Sequence, residues 1–349
     1  VFRNCEVCIR GPFGEIYQAV HAPQSGIFTL LPGPRKYDIA SVTKLILTVL
    51  TFRMMSVRND VYLDTRVADI LGLRGAHVDA LTVRHLLCFM GRFNLFMTPD
   101  AYQKASVNFK HFMAGVKWTG LKHLEHSYTN IHAILLGIFL EMIEFKPPLE
   151  LESPLEEHSG LASLFKKYLV DPLGLKGTVL EHVPVLHNAV VSLPGLRPGE
   201  PSDSVARKTL GLHKRLLGSA GVFTTVHDLA EILEVVLQGE LHPTCPIRRE
   251  FADMVSVPCD EHGSYGHGAG LWHRFRENLE DVQPTSPPKD AIFKSGWAGS
   301  FVFGSRSQKV SVSICTDYAF HNHDKPERKK MLHRFYASVV ELALRSCQG

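Results

Sequence analysis

The segment "YDIASVTKLILTVLTFRMM", residues 37 to 55, joins a turn-rich stretch to a long apolar run and sets Ser41 and Lys44 three positions apart at the junction. Leu45, Ile46, Val49, Leu50, Met54 and Met55 recur at helical spacing, which predicts a helix entered near Ser41 and capped by Asp38 or Ser41. Residues three and four apart share a helix face, so Ser41 and Lys44 point the same way. Two readings of Lys44 stand. One is an exposed lysine in a first turn, the common place for lysine. The other is a base for Ser41, because the positive helix end and desolvation both disfavour an ammonium there. The pattern S-x-x-K recurs at Ser163 to Lys166, in an amphipathic helix, and at Ser286 to Lys289, in a proline-rich loop. Only Ser41 stands where a turn enters an apolar helix.

Outward from this segment the chain reads as α+β. "EVCIRG" and "GEIYQAVH" are two strands around the turn "GPFG", and they precede the opening helix. Helical stretches follow: "LDTRVADIL", "TVRHLLCFM", "FKHFMAGV", "NIHAILLGIFLEMI" and "GLASLFKKYLV". "TVHDLAEILEVVLQGE" is a helix begun by a threonine cap and stopped at Gly239. The strands "AIFKSG", "SFVFGS" and "KVSVSICTD" come next, before a last helix, "KKMLHRFYASVVELAL". The expected fold is one antiparallel sheet built from both chain ends and flanked by helices. Residues 1–58 and 215–349 would make the sheet region, 59–214 a mostly helical lobe, and the active site would lie between them.

Composition narrows the function. The chain has 349 residues, 45% of them hydrophobic and 21% charged, with a formal charge of +3, as in a globular enzyme of one or two domains. No basic block is interleaved with aromatics, so no nucleic-acid partner is expected. The longest apolar run, "IHAILLGIFLEMI", falls short of the roughly 20 residues of a membrane span and runs into glutamate, so no span is expected. The seven cysteines suggest no disulfide framework, and no signal peptide opens the chain; both point to a reducing, cytoplasmic location. "CEVC" at 5–8 has C-x-x-C spacing, but its alternation with Val7 and Ile9 suits a strand, and no second pair completes a zinc site. "HNHD" at 321–324 reads as a polar loop and "GHGAGLW" as a turn into a strand. No metal or cofactor is expected.

Two further motifs carry chemistry. "SYTN" places Tyr128 and Asn130 ahead of a strong apolar helix, either facing a cleft or forming a helix-entry turn with Asn130 as cap. "FKSGWAGSF" places Lys294, Ser295, Gly296 and Trp297 where one strand ends before the next, a site element or a plain hairpin. Taken together and in order, "SVTK", "YTN" and "KSG" resemble the three signature elements of the serine β-lactamase and penicillin-binding-protein superfamily, in its branch of class C β-lactamases, D,D-peptidases and β-lactamase-like esterases. "LTVRHLL", "YLVDPLGLKGT" and "GSAGVFTTVHDLAEIL" extend the resemblance over most of the chain.

The resemblance implies a serine acyl-transfer hydrolase acting on an ester, amide or β-lactam bond of a small-molecule acyl substrate. Ser41 would be the nucleophile, with Lys44 and Tyr128 sharing removal of its proton. Lys294 would hold Tyr128 toward phenolate, Asn130 would orient Lys44 and the substrate, and Ser295 and Gly296 would line the substrate site. The backbone N–H groups of Ser41 and Trp297 would form the oxyanion hole. The alternatives are an acyltransferase using the same acyl-enzyme and a catalytically silent, self-associating scaffold on the same fold; a homo-oligomer is an open option. One departure stands out: where relatives carry a small polar turn, this chain reads "LLCFMGRFNLF", so that Phe89, Met90 and Phe93 either make the site more apolar or fill the core.

Overall fold

The computed structural model describes residues 2–21, 34–72, 80–91, 93, 128–145, 160–181, 186–213, 215–255, 267–268, 271–272, 288–322 and 326–347. The helical stretch expected at 109–116 and Ser286 lie outside these residues.

A two-residue turn between Gly11 and Gly14 folds strands β1 (Asn4–Gly11) and β2 (Gly14–His21) into an antiparallel hairpin in which Cys8 stands opposite Tyr17 and Arg10 opposite Glu15. Gly14 takes a φ of 94°, a left-handed conformation that glycine adopts without strain. The free edge of β1 is taken by β9 (Val310–Thr316), near the other end of the chain. The main sheet runs β2-β1-β9-β8-β7-β6-β5, with β5 (His267–Gly268), β6 (Leu271–Trp272), β7 (Ile292–Ser295) and β8 (Phe301–Ser305), every pairing antiparallel. Within "GHGAGLW", His267–Gly268 and Leu271–Trp272 are strands bonded to each other. Two short strands stand apart: among the described residues, β3 (Tyr37–Asp38) pairs with β4 (Phe223–Thr224).

Helices follow in the order α1 (Thr43–Val57), α2 (Val67–Leu71), α3 (Val83–Leu87), α4 (Asn130–Phe145), α5 (Leu161–Phe165), α6 (Ser204–His213), α7 (Val226–Gln238), α8 (Arg249–Val255), α9 (Tyr318–Asn322) and α10 (Lys329–Ser346). Both faces of the sheet are covered, which is why β8 and β9 are buried along their whole length rather than alternating in exposure. On one face Cys5, Ile9, Phe301, Phe303, Val312 and Ile314 meet Leu332, Tyr336 and Val340 of α10. On the other, Cys8, Val302 and Cys315 join a larger core shared with α1, α4 and α7. Each fully buried side chain of this kind contributes about 1.5–3 kcal/mol. Cys5 and Cys8 thus face opposite sides of the sheet, and the C-x-x-C spacing belongs to a strand.

Helix α1 is buried nearly all round. Its polar side chains are satisfied inside it: Thr48 and Thr51 donate to the carbonyls of Lys44 and Leu47. Neither cap expected for this helix is found: α1 starts from Val42 with no side-chain hydrogen bond, and Asp38 braces the turn before it instead. Its Oδ1 accepts from Ala40 N at 2.8 Å and its Oδ2 from Ser202 N at 2.7 Å, fixing the single 3-10 turn, Ala40–Val42, that holds Ser41. Helix α7 begins with the Thr225 hydroxyl accepting from Asp228 N and ends at Gly239, as the sequence predicts. Glu141 of α4 is 1% exposed, pairs with the guanidinium of Arg215 and accepts from Leu161 N. Its charge is therefore met inside the protein. Among the described residues, the one helical stretch long and apolar enough to cross a membrane, Ala40–Val57, is 78% buried in the molecule. Cys88 is disulfide-bonded, which the sequence reading did not anticipate, while Cys5, Cys8, Cys245, Cys315 and Cys347 are free.

Candidate active site

Three segments meet at Lys44. Its Nζ lies 3.1 Å from Ser41 Oγ, 2.9 Å from Asn130 Oδ1 and 2.8 Å from the carbonyl oxygen of Ser219. The side chain is 1% exposed, which removes the reading of a surface lysine. Burial is tolerable because the ammonium's three N–H groups find three acceptors. Ser41 is delivered by strain as well as by the Asp38 bonds: Ala40, just before it, has a φ of 43°, a conformation L-residues adopt rarely and typically where a site requires it. Among the described residues, the Ser163–Lys166 pair differs. Lys166 is exposed and bound to Asp171 rather than to Ser163.

Tyr128 stands between two cations. Lys294 Nζ lies 4.2 Å from its ring centroid and Lys44 Nζ 5.2 Å. Burial by itself raises the phenol, but the charge of Lys294 and then that of Lys44, with hydrogen bonds to Ser41 and Lys44, bring it down to about 7. The residue as a whole is 36% exposed, so its outer edge meets the cleft while its inner side faces the lysines. Lys294 is 1% exposed, and burial, reinforced by Lys44, lowers it to about 8 against the pull of Tyr128.

The "KSG" segment closes the site from the sheet. Lys294 and Ser295 end β7, and Gly296 follows with its backbone pressed on the turn that holds Ser41. A Cβ at Gly296 would lie 2.3 Å from Ile39 O and 2.4 Å from Ser300 Oγ, so only glycine fits. Ser300 Oγ donates to the same Ile39 carbonyl at 2.8 Å, tying the β7–β8 turn to the residues just before Ser41. Ser41, Tyr128, Lys294, Ser295, Gly296 and Trp297 all line one cleft of about 320 Å³, whose far wall is formed by α9 and α10. Trp297 is 54% exposed at its edge. The residues of the three motifs, Ser41, Lys44, Tyr128, Asn130, Lys294, Ser295, Gly296 and Trp297, thus lie at one locus.

Other contributors were not legible. The Ser219 carbonyl is a backbone group and leaves no side-chain signal. Phe89 takes a left-handed φ of 53°, and its ring packs 5.1 Å from Tyr128 and 5.3 Å from His132. His132, fully buried, bridges Thr129 Oγ1 at 2.9 Å and Met90 O at 3.4 Å, so that Nε2 donates to the carbonyl and Nδ1 accepts from the hydroxyl. Phe89, Met90 and Phe93 are all buried, and Phe89 both fills the core and backs the tyrosine. The apolar substitutions in this turn are therefore a packing support of the "YTN" segment.

No curated protein matches the chain in sequence. Among solved structures, a class C β-lactamase from Rhodobacter sphaeroides has a TM-score of 0.71 at 13% identity, with 98% of this chain and 95% of that one covered. EstCE1, a hydrolase with promiscuous acyltransferase activity, has a TM-score of 0.66 at 15% identity, with 96% and 93% covered. The octameric penicillin-binding protein homologue from Pyrococcus abyssi has a TM-score of 0.59 at 15% identity, with 90% and 70% covered. At such identities these likenesses establish the fold. The β-lactamase family profile matches residues 35–336, most of the chain, and with the shared fold this means that the protein belongs to the β-lactamase family.

Proposed function

We propose that the protein is a serine hydrolase that forms an acyl-enzyme on Ser41 from a small-molecule ester, amide or lactam. One observation carries the reading: Tyr128, its phenol brought to about 7, stands beside a serine that is itself bound to a buried lysine. Tyr128 as phenolate takes the Ser41 hydroxyl proton while Oγ attacks the substrate carbonyl carbon. The N–H groups of Ser41 and Trp297 hold the resulting oxyanion. Collapse expels the leaving group, to which Tyr128 returns the proton, and leaves an ester on Ser41. Water deprotonated by Tyr128 then attacks that ester and releases the acid. Lys44 keeps Oγ and Asn130 in line, Lys294 supports the phenolate, and Ser295 and Gly296 present the strand edge to the substrate.

A second reading, acyl transfer to an alcohol or amine, is favoured by the partly apolar far wall, where Tyr318, Leu332 and Tyr336 give a non-aqueous acceptor a surface to rest on. EstCE1 combines both activities. A silent scaffold is disfavoured by the complete Ser41, Lys44, Tyr128 and Lys294 set. Self-association is part of the proposal, by analogy with the octameric homologue, and light scattering at several protein concentrations tests it.

The decisive experiment is mass spectrometry of the intact protein after exposure to activated esters and penicillins. Ser41→Ala should take up no acyl group, while Ser163→Ala and Ser286→Ala should label as the parent does. Labelling that persists in Ser41→Ala would sink the assignment.

A further inference from the structure

We propose that Cys8, Glu15 and His227 form a site for a zinc-type divalent cation, on the sheet face opposite α10 and apart from the catalytic cleft. One ligand atom from each residue lies within 4.8 Å of the other two. His227 Nδ1 and Glu15 Oε1 are 3.4 Å apart. Bonds of about 2.0–2.3 Å in a tetrahedron separate neighbouring ligand atoms by roughly 3.5 Å, so this pair already stands at the required spacing. Closing on the sulfur takes about an ångström of side-chain movement, within reach of two partly exposed residues.

The elements explain the convergence. Along β1, Cys8 and Arg10 project to the same face, and the register sets Tyr17 and Glu15 of β2 beside them. The first turn of α7 lays His227 over that patch. Cys5, three residues from Cys8, faces α10 and takes no part.

Surrounding contacts resemble the outer shell of a metal centre. Glu15 Oε2 accepts from Arg10 Nε at 2.8 Å, which turns Oε1 toward His227. Arg10 Nη1 in turn donates to Glu231 at 2.7 Å, so its charge is matched by a second carboxylate. The Tyr17 ring rests 4.6 Å from the His227 ring and restricts its rotation. Such partners orient ligands and hold their donor atoms ready.

The donor set selects the ion. A thiolate sulfur, an imidazole nitrogen and a carboxylate oxygen suit zinc, whereas magnesium and calcium take oxygen ligands. A metal-bound cysteine is a thiolate, so the Cys8 thiol proton leaves to solvent as the sulfur–metal bond forms. Three protein ligands leave the fourth vertex to water. The ion would pin the N-terminal hairpin to the start of α7, and none of its three ligands lines the cleft. The proposal therefore stands or falls separately from the acyl-enzyme reading.

The test uses the whole chain, stripped with a chelator and titrated with cobalt(II), then zinc(II). One equivalent of cobalt should produce a thiolate-to-metal charge-transfer absorption, zinc should bleach it, and about one proton per ion should be released near neutral pH. Zinc should raise Tm by several degrees. Cys8→Ser and His227→Gln should each abolish the absorption and the Tm gain, while Cys347→Ser should keep both. Should Cys8→Ser fail to fold, the partly exposed His227→Gln decides. Absence of the absorption in the parent protein, or its persistence in His227→Gln, overturns the proposal.

Discussion

Replacing Lys294 by methionine tests whether the pH dependence of acylation belongs to Tyr128. The phenol falls from an ordinary value of 10.0 to about 7, and Lys294 is the largest of the influences that lower it. If Lys294 supplies about half of that drop, with solvent screening at a 36% exposed residue already allowed for, its loss raises Tyr128 by about 1.5 pH units. The phenolate is the active form, so acylation rises with pH. In the parent the rising limb should centre near 7. In Lys294→Met it should move to about 8.5, cutting the phenolate fraction at pH 7 from about a half to about one thirtieth, a loss of roughly 15-fold that is recovered above about pH 9.5. Lys294→Arg, which keeps the charge, should leave the limb near its original place. Stopped-flow acylation with a chromogenic ester across the pH range reads all three. A limb that stays near 7 in Lys294→Met refutes Tyr128 as the base, and a loss not recovered at high pH assigns Lys294 to substrate binding.

Lys44→Ala and Tyr128→Phe should each lower ester turnover by about a hundredfold or more, and the double variant should be little worse than the poorer single, because the two act as one unit; steady-state kinetics checks this. Gly296→Ala drives a methyl into the Ile39 carbonyl and should cost about 1–3 kcal/mol in urea unfolding while lowering acylation, since the nucleophile turn must shift. Glu141→Ala removes the buried carboxylate that pairs with Arg215 and accepts from Leu161 N, and should cost about 3–5 kcal/mol in the same measurement. Burial, and then the charge of Lys329, holds His333 down to about 4, below its unfolded value of 6.5, so stability is lost as pH falls through that interval. His333→Gln should flatten the decline of Tm between those two pH values.

The long elements were legible because each repeats a pattern: the hairpin at 4–21 alternates around a glycine turn, and α7 carries a threonine cap and a glycine stop. β3 and β4 were not, since two residues apiece hold no period. The side chains of the candidate site were legible as three ordered motifs, whereas their supports were not. Ser219 contributes only a carbonyl, and the close approach of Gly296 to Ile39 joins residues far apart in the chain. Phe89 left two readings open in the sequence. Its positive φ and its contact with Tyr128 satisfy both at once.

The pairing of β1 with β9 also bears on how the protein is made. Asn4 and Asp317, which bond across the ends of these strands, are 313 positions apart in the chain. At about 5–20 residues per second, a ribosome needs roughly 15–60 s to deliver the partner after the hairpin has emerged. Throughout that interval β1 offers an unpaired edge and a bare apolar face to whatever lies nearby. Holding the nascent hairpin, whether by a chaperone or by the helices made in between, is thus part of this fold's biosynthesis. A chain truncated before residue 310 should accumulate in aggregates rather than as a smaller enzyme.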